Sequence, residues 1–210
     1  MFSKTKSLKL SGSLDNFRLG KEDKLFLKDL ARVRIIELND ADKHHFSCRK
    51  NGGRQRLDRL KDLGILVARD LKKTGSHNFR TYEFANEKIA KAFGGKMAVI
   101  GSKRSALHET LASKVYFTAG RPESFKISCD FKKEDIQRFR ELTNNKAVLP
   151  DALFFDEQGS MVIVEADSGH YTKKQVLEKQ AGWLGVKQIW SQPAQASAKI
   201  RGASQVFRFG

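Results

Sequence analysis

Apolar residues recur at helical spacing from Lys21 to Leu38, where Leu25, Phe26, Leu30, Val33 and Ile36 fall on one face before Asn39-Asp40 breaks the pattern. The spacing predicts a first helix over 21–38. After a short segment around residues 41–46, Gly52-Gly53 opens a run with Leu57, Leu60 and Leu63 on one side and Arg54, Arg56, Arg59 and Lys61 flanking them, and Gly64 supplies its stop. Two alternating stretches follow, residues 65–69 and 79–84, separated by turn-forming residues from Lys72 to Asn78. A helix over 86–93 completes this half. The Gly94-Gly95 pair and the cluster at 101–104 place a domain boundary near residues 94–104, with 97–100 open to a short strand.

The second half mixes both periods. Residues 106–118 carry Leu107, Leu111, Val115 and Tyr116 in an amphipathic pattern, ended by Gly120-Arg121-Pro122. Alternation of Phe125, Ile127, Cys129 and Phe131 predicts a strand over 125–131, and 134–142 reads as a charged helix ahead of an Asn144-Asn145 turn. A hairpin comes next. If Glu157-Gln158-Gly159 is a three-residue loop with Gly159 left-handed, Asp156 faces Ser160, Leu153 faces Ile163 and Asp151 faces Glu165. Thr172 is placed to cap a helix that packs Val176, Leu177, Ala181 and Leu184 inward, and strands are expected at 187–190 and 206–209. Strands interleaved with helices predict an α/β domain, with the whole chain α+β.

Charge changes the picture from fold to partner. Lys and Arg number 40 against 24 Asp and Glu, a formal charge of +16, which points to a polyanion. Residues 1–105 hold 25 basic and 12 acidic side chains and residues 106–210 hold 15 and 12, so the phosphate-binding load falls mainly on the first half. Residues 1–20 are rich in Ser, Lys and Gly without periodicity and read as a flexible basic arm. Cys48 and Cys129 lie far apart without metal-ligand spacing, and no apolar core of signal-peptide length follows the first lysines, so reduced thiols and a cytoplasmic location are expected. No apolar run approaches the roughly 20 residues that cross a bilayer, so no membrane insertion is expected.

The order of helices, basic helix and hairpin in residues 21–95 resembles a winged helix-turn-helix, most closely in the segment Leu57–Leu66 that leads into the hairpin. The resemblance implies a DNA-binding domain in which Arg54, Arg56 and Arg59 face duplex DNA while Lys72, Lys73 and His77 lie on the wing. A winged helix whose basic face meets protein is the alternative.

Candidate chemistry sits at the end of the second-half hairpin. In the expected register Asp151 and Glu165 are opposite one another, and Asp167, two residues on, turns to the same face. Carboxylates gathered beside buried strands suggest a divalent cation, because an ionised carboxylate is costly to bury unless paired or ligating. Phe154, Val162 and Val164 make the opposite face apolar too, as expected of a strand pair covered on both sides.

The motifs Leu107-His108-Glu109-Thr110-Leu111, Pro150-Asp151-Ala152, Val164-Glu165-Ala166-Asp167-Ser168-Gly169 and Lys179 resemble the replication-relaxation family and its MobC-type plasmid mobilisation relaxases. The resemblance covers about residues 21–190. It implies a winged helix followed, over 105–210, by a PD-(D/E)xK restriction-endonuclease-like mixed-sheet domain. Asp151 and Glu165 then correspond to metal-binding acids for Mg²⁺ or Mn²⁺, with Asp167 beside them where the common endonuclease pattern has lysine. Lys179, otherwise Lys173 or Lys174, would replace that charge from the next helix, and His108 joins the candidate catalytic set.

The implied function is metal-dependent nicking of specific double-stranded DNA, such as a transfer origin, within a relaxosome and beside a coupling protein. Hydrolysis would use water, whereas relaxase transesterification needs a side-chain nucleophile, for which Tyr171 is nearest in sequence and Tyr116 more remote. The rival expectation is a non-catalytic DNA-binding regulator or relaxosome accessory factor on a degenerate nuclease fold. A protein-interaction module that meets an acidic partner is a third.

Overall fold

In the computed structural model, which describes residues 18–47, 53–72, 78–97, 103–144, 149–193 and 205–209, the first helix is shorter than its apolar pattern. Helix α1 (Lys21–Val33) closes at Arg34, whose φ of 69° is left-handed and whose N–H donates to the Leu30 carbonyl at 2.7 Å. The chain then extends. Ile35 and Ile36 are consecutive and both fully buried, which a helix face does not require but a two-sided strand does. Ile36 and Glu37 form β1 and pair with Tyr82 and Thr81, so the expected helical tail is corrected: the helix ends at Val33, residues 36–37 are a strand, and Leu38 opens a separate helix.

The described residues fall into two compact units, the first within 18–70 and 79–97, the second at 71–72, 78 and within 103–209. In the first, β1 is followed by α2 (Leu38–Ala41), a π-helical turn over Asp42–Phe46, α3 (Arg54–Asp62), β2 (Leu66–Lys72), β3 (Asn78–Phe84) and α4 (Glu87–Ala92). The three-stranded sheet has the order β1-β3-β2. Its core is Phe26, Leu30, Phe46, Leu57, Leu60, Tyr82 and Phe84. Gly64 ends α3 with φ 69°, as its place in the sequence predicts, and the Asn86 side chain caps α4 through the Ile89 amide at 3.0 Å. Gly95 packs against α1 so closely that a Cβ there would stand 2.7 Å from the Ala31 Cα. Residues 1–17, Cys48, Lys73, His77, residues 98–100 and Asn145 lie outside the described residues.

The second unit runs α5 (Lys103–Thr118), β4 (Lys126–Ile127), a 3₁₀ turn over Ser128–Asp130, α6 (Lys133–Leu142), β5 (Ala152–Phe155), β6 (Met161–Ala166), α7 (Lys173–Gly182), β7 (Lys187–Pro193) and β8 (Gln205–Phe209). The sheet order is β4-β5-β6-β7-β8. The pairings β4–β5 and β5–β6 are antiparallel, whereas β6–β7 and β7–β8 are parallel. The chain is therefore α+β, with a mixed sheet in its second unit.

The strand expected over 125–131 shrinks to two residues. Ser128 still donates to the Asp151 carbonyl at 2.9 Å, but the chain then coils, and Phe131 leaves the sheet to stack edge-on against Phe139 with centroids 5.0 Å apart. Burying an aromatic ring outweighs continuing an edge ladder.

Helix α7 presents a different face from the one its leucines suggest. Leu177 is 51% and Leu184 85% exposed and Ala181 also points outward, whereas Val176 and Trp183 are fully buried. The inward stripe is Val176, Lys179, Gln180 and Trp183, at helical spacing with a lysine in it. On that sheet face Trp183 packs with Phe139, Leu153 and Ile163, and on the other Ala166 packs with Leu111 and Ala112. Among the described residues no helix is long and apolar enough to cross a membrane.

Candidate active site

The β5–β6 hairpin fixes the site from its far end. Gly159 has φ 74°, Asp156 donates its amide to Ser160 at 3.0 Å, and the Asp156 carboxylate takes the amides of Gln158 and Ser160. That loop sets Leu153 against Ile163 and Ala152 against Val164, the register expected from the sequence. Just past the last pair, the Asp151 amide donates to the Val164 carbonyl at 3.0 Å, while its Oδ2 accepts the Ala166 amide at 2.7 Å. Asp151 is thus tied to β6 by both backbone and side chain.

Glu165 is fully buried on β6, with Trp190 as its parallel partner. The Lys179 ammonium donates to its Oε2, and the Trp183 indole N–H donates to Oε1 at 3.1 Å. From α5, His108 Nε2 stands 3.2 Å from Asp151 Oδ2. Lys179 Nζ also lies 5.1 Å from the Tyr171 ring centroid, and Tyr171 meets Trp190 edge-on at 6.5 Å. Five of the expected residues, His108, Asp151, Glu165, Tyr171 and Lys179, therefore converge.

Asp167 does different work. Its Oδ1 accepts the amides of Gly169 at 2.8 Å and Tyr171 at 3.4 Å, so its carboxylate builds the turn that delivers Tyr171 and α7. Thr172 then caps α7 by accepting the Gln175 amide at 3.2 Å. Lys173 and Lys174 are exposed, and Lys174 lies 3.9 Å from Glu178, so of the three candidate lysines it is Lys179 that meets the acids. Among the described residues no group of three or more His, Cys, Asp and Glu side chains is disposed to hold a metal ion.

The electrostatics follow from two acids and two bases sharing a buried space. Burial and the neighbouring Asp151 charge push Glu165 well above the usual glutamate range, against the pull of Lys179. Burial also opposes ionisation of Asp151, but the hydrogen bond and charge of His108 and the charge of Lys179 prevail and lower it. His108 is raised by Asp151 despite burial, and Lys179 is raised by Asp151 and Glu165 despite burial. Burial, then the Asp151 charge, lift the Tyr171 phenol to about 12. The cluster sets a lowered aspartate and a raised glutamate beside a raised histidine and a raised lysine. Tyr171 stays a neutral hydroxyl at ordinary pH, a poor nucleophile until a base removes its proton.

In the first unit the expected DNA contacts separate. Arg56 turns inward, its Nε 2.7 Å from Oδ1 of the fully buried Asp23 and its Nη2 on Oδ2. Arg54 is exposed and stands 3.8 Å from Asp58, and Arg59 is exposed. Arg80 bridges Asp70 at 2.9 Å and Asp58 at 3.4 Å. Lys72 closes β2, and Lys73 and His77 fall outside the described residues. The site residue that sequence reasoning missed is Trp183, which its spacing of four from Lys179 could have revealed. Comparison with known proteins gives no match among family models, curated proteins or solved structures.

Proposed function

We propose that this chain binds double-stranded DNA through its first unit and nicks it, with a divalent cation, at the Asp151–Glu165–Lys179 cluster of its second. The observation that carries the reading is the Lys179–Glu165 ion pair. A nuclease of the PD-(D/E)xK type needs two acids and a lysine at one point, and here the lysine absent from position 167 arrives from α7. The order α5, β4, β5, β6, α7 and β7, with α6 inserted between β4 and β5, supports the same core: β4, β5 and β6 pair antiparallel and β7 joins β6 in parallel. The order α1, β1, α2, α3, β2, β3 supports a winged helix in the first unit, with Arg59 as its exposed basic contact on α3.

Mg²⁺ or Mn²⁺ needs only one or two carboxylates from a protein, and Asp151 and Glu165 are the pair that would supply them once Glu165 gives up its bonds to Lys179 and Trp183; Glu165 gains from any added positive charge because Asp151 already repels its ionised form. Asp151 and Glu165 would hold the ion, which when bound polarises the phosphodiester and acidifies a water. Lys179 stabilises charge that develops on the phosphate oxygens, and His108 holds Asp151 in place and ionised. Relaxase-like nicking at a plasmid transfer origin, as in the replication-relaxation family, is the form of the reaction we favour. Incubation with Mn²⁺ and supercoiled plasmid carrying the cognate origin is expected to give open circles with the parent protein and none with Asp151→Asn. Equal or absent nicking in both would overturn the reading.

A second reading, a DNA-binding regulator on a nuclease-like scaffold, is favoured by Asp167, whose carboxylate is committed to its own turn. Calorimetry separates the two: a divalent-ion site lost in Glu165→Gln supports the nuclease, and tight DNA binding without an ion site supports the regulator.

A further inference from the structure

Gln192, on β7, is fully buried, yet neither its amide oxygen nor its amide nitrogen has a hydrogen-bond partner. Buried carboxamides are paired almost without exception, and an unpaired one lowers stability. A ligand that completes it is one explanation of such a group. Its place in the sheet says which ligand. Glu165 pairs with Trp190, and Trp190 packs with Val176 of α7, so alternation puts Gln192 on the same face as Glu165 and α7. The Asp167 amide donates to the Ser191 carbonyl at 2.8 Å, so Gln192 lies beside the end of β6.

On its other side Gln192 is the register partner of Arg208 on β8, and Arg208 is exposed. Neighbouring strands are about 4.8 Å apart, and continuing the register of Ala166 with Ser191 puts Asp167 beside Gln192, so Asp167, carboxamide and guanidinium form a row across the carboxyl ends of three parallel strands, two residues beyond Glu165. Ligands of α/β sheets bind at those ends. A guanidinium next to a neutral N–H donor suits a phosphate group, as the acids beside them do not without a cation.

We propose that Gln192 and Arg208 form a phosphate subsite that grips the DNA backbone next to the scissile position, Arg208 meeting the phosphate at the surface and Gln192 donating from behind it. The inference rests on the nucleic-acid reading of this site and adds two substrate-contacting residues to it. The Asp167 carboxylate, which would repel such a phosphate, has its Oδ1 taken up by the Gly169 and Tyr171 amides.

The test uses the full chain. Gln192→Leu removes an unpaired buried amide, so the free protein is expected to keep or raise its Tm, while nicking of supercoiled plasmid in Mn²⁺ falls about tenfold or more. Arg208→Ala, at an exposed position, is expected to leave Tm unchanged and lower nicking similarly, and the double variant to lose less than the product of the two. Affinity for a duplex oligonucleotide is read in parallel. Full nicking and full affinity in both variants would overturn the subsite and leave the nuclease reading intact, as would a lowered Tm in Gln192→Leu with activity unchanged in Arg208→Ala. A parent protein that never nicks, but whose duplex affinity falls about tenfold in both variants, would sink the nuclease reading and leave the subsite standing.

Discussion

Lys179 of α7 and Glu165 of β6 are joined by an ion pair in which the glutamate side chain is fully buried and the lysine 20% exposed. The pair sits beside a second carboxylate, Asp151, so its charges are not matched one to one. Removing either partner disturbs three groups.

Lys179→Met is expected to lower stability at pH 7 by about 3 kcal/mol, because Glu165 is left buried beside Asp151 without its cation. The sign of the pH effect follows from the direction of the Glu165 shift. Its folded pKa is raised, so the folded state takes up a proton more readily than the unfolded chain, and acid relieves the burden. The deficit should shrink as pH falls towards 5, and added Mg²⁺ should raise Tm more in the variant than in the parent. Urea titrations across pH check both.

His108 and Asp151 give the opposite trend. The histidine is raised in the fold and the aspartate lowered, so their pairing contributes fully below the ordinary histidine value and above the ordinary aspartate value. It fades as pH rises through the raised His108 value and as pH falls through the lowered Asp151 value. His108→Gln should therefore cost most near pH 5 to 6, about 1–2 kcal/mol, and progressively less as pH rises through the raised His108 value. Chemical denaturation at three pH values measures this.

Two arginines of α3 should behave as different kinds of residue. Arg56→Ala strands the buried Asp23 carboxylate and is expected to destabilise the protein by about 3 kcal/mol. Arg59→Ala, at an exposed position, should change stability by less than about 0.5 kcal/mol but weaken duplex binding and reduce its salt slope by about one. Thermal melts and fluorescence anisotropy at several salt concentrations separate the effects.

Gly95→Ala is expected to cost about 2 kcal/mol, since the new methyl would meet Ala31 backbone atoms at 2.7 and 2.8 Å and α1 cannot move without opening the core. Gly64→Ala, with open space but φ 69°, should cost about 1 kcal/mol from backbone strain alone. A comparison of the two melts distinguishes crowding from strain.

The hairpin register was legible in the chain because one glycine determines it. With Gly159 left-handed, every pair from Phe155–Met161 to Ala152–Val164 follows. The convergence of Asp151 and Glu165 follows as well. The face of α7 was not legible, for a reason that concerns function. Lys179 interrupts the buried stripe, so the outward leucines Leu177 and Leu184 gave the stronger apolar signal. Arg56 misled in the same way, since a buried aspartate on α1 draws it inward and a basic helix face alone does not reveal that. At β1, apolar spacing continued the helix through Ile36, and only the pairing with Tyr82, far along the chain, resolved it. At Asp167 strand alternation gave a face but not an occupation, because local amides captured the carboxylate first.

The hydrogen bond from the Trp183 indole to Glu165 has a practical side. The chain contains two tryptophans, and the other, Trp190, is the strand neighbour of that same glutamate. One indole is bonded to the carboxylate and the other stands on the neighbouring strand in register with it, so the protein carries its own optical reporter. Ultraviolet excitation alone should register a change in the charge around Glu165, without any dye.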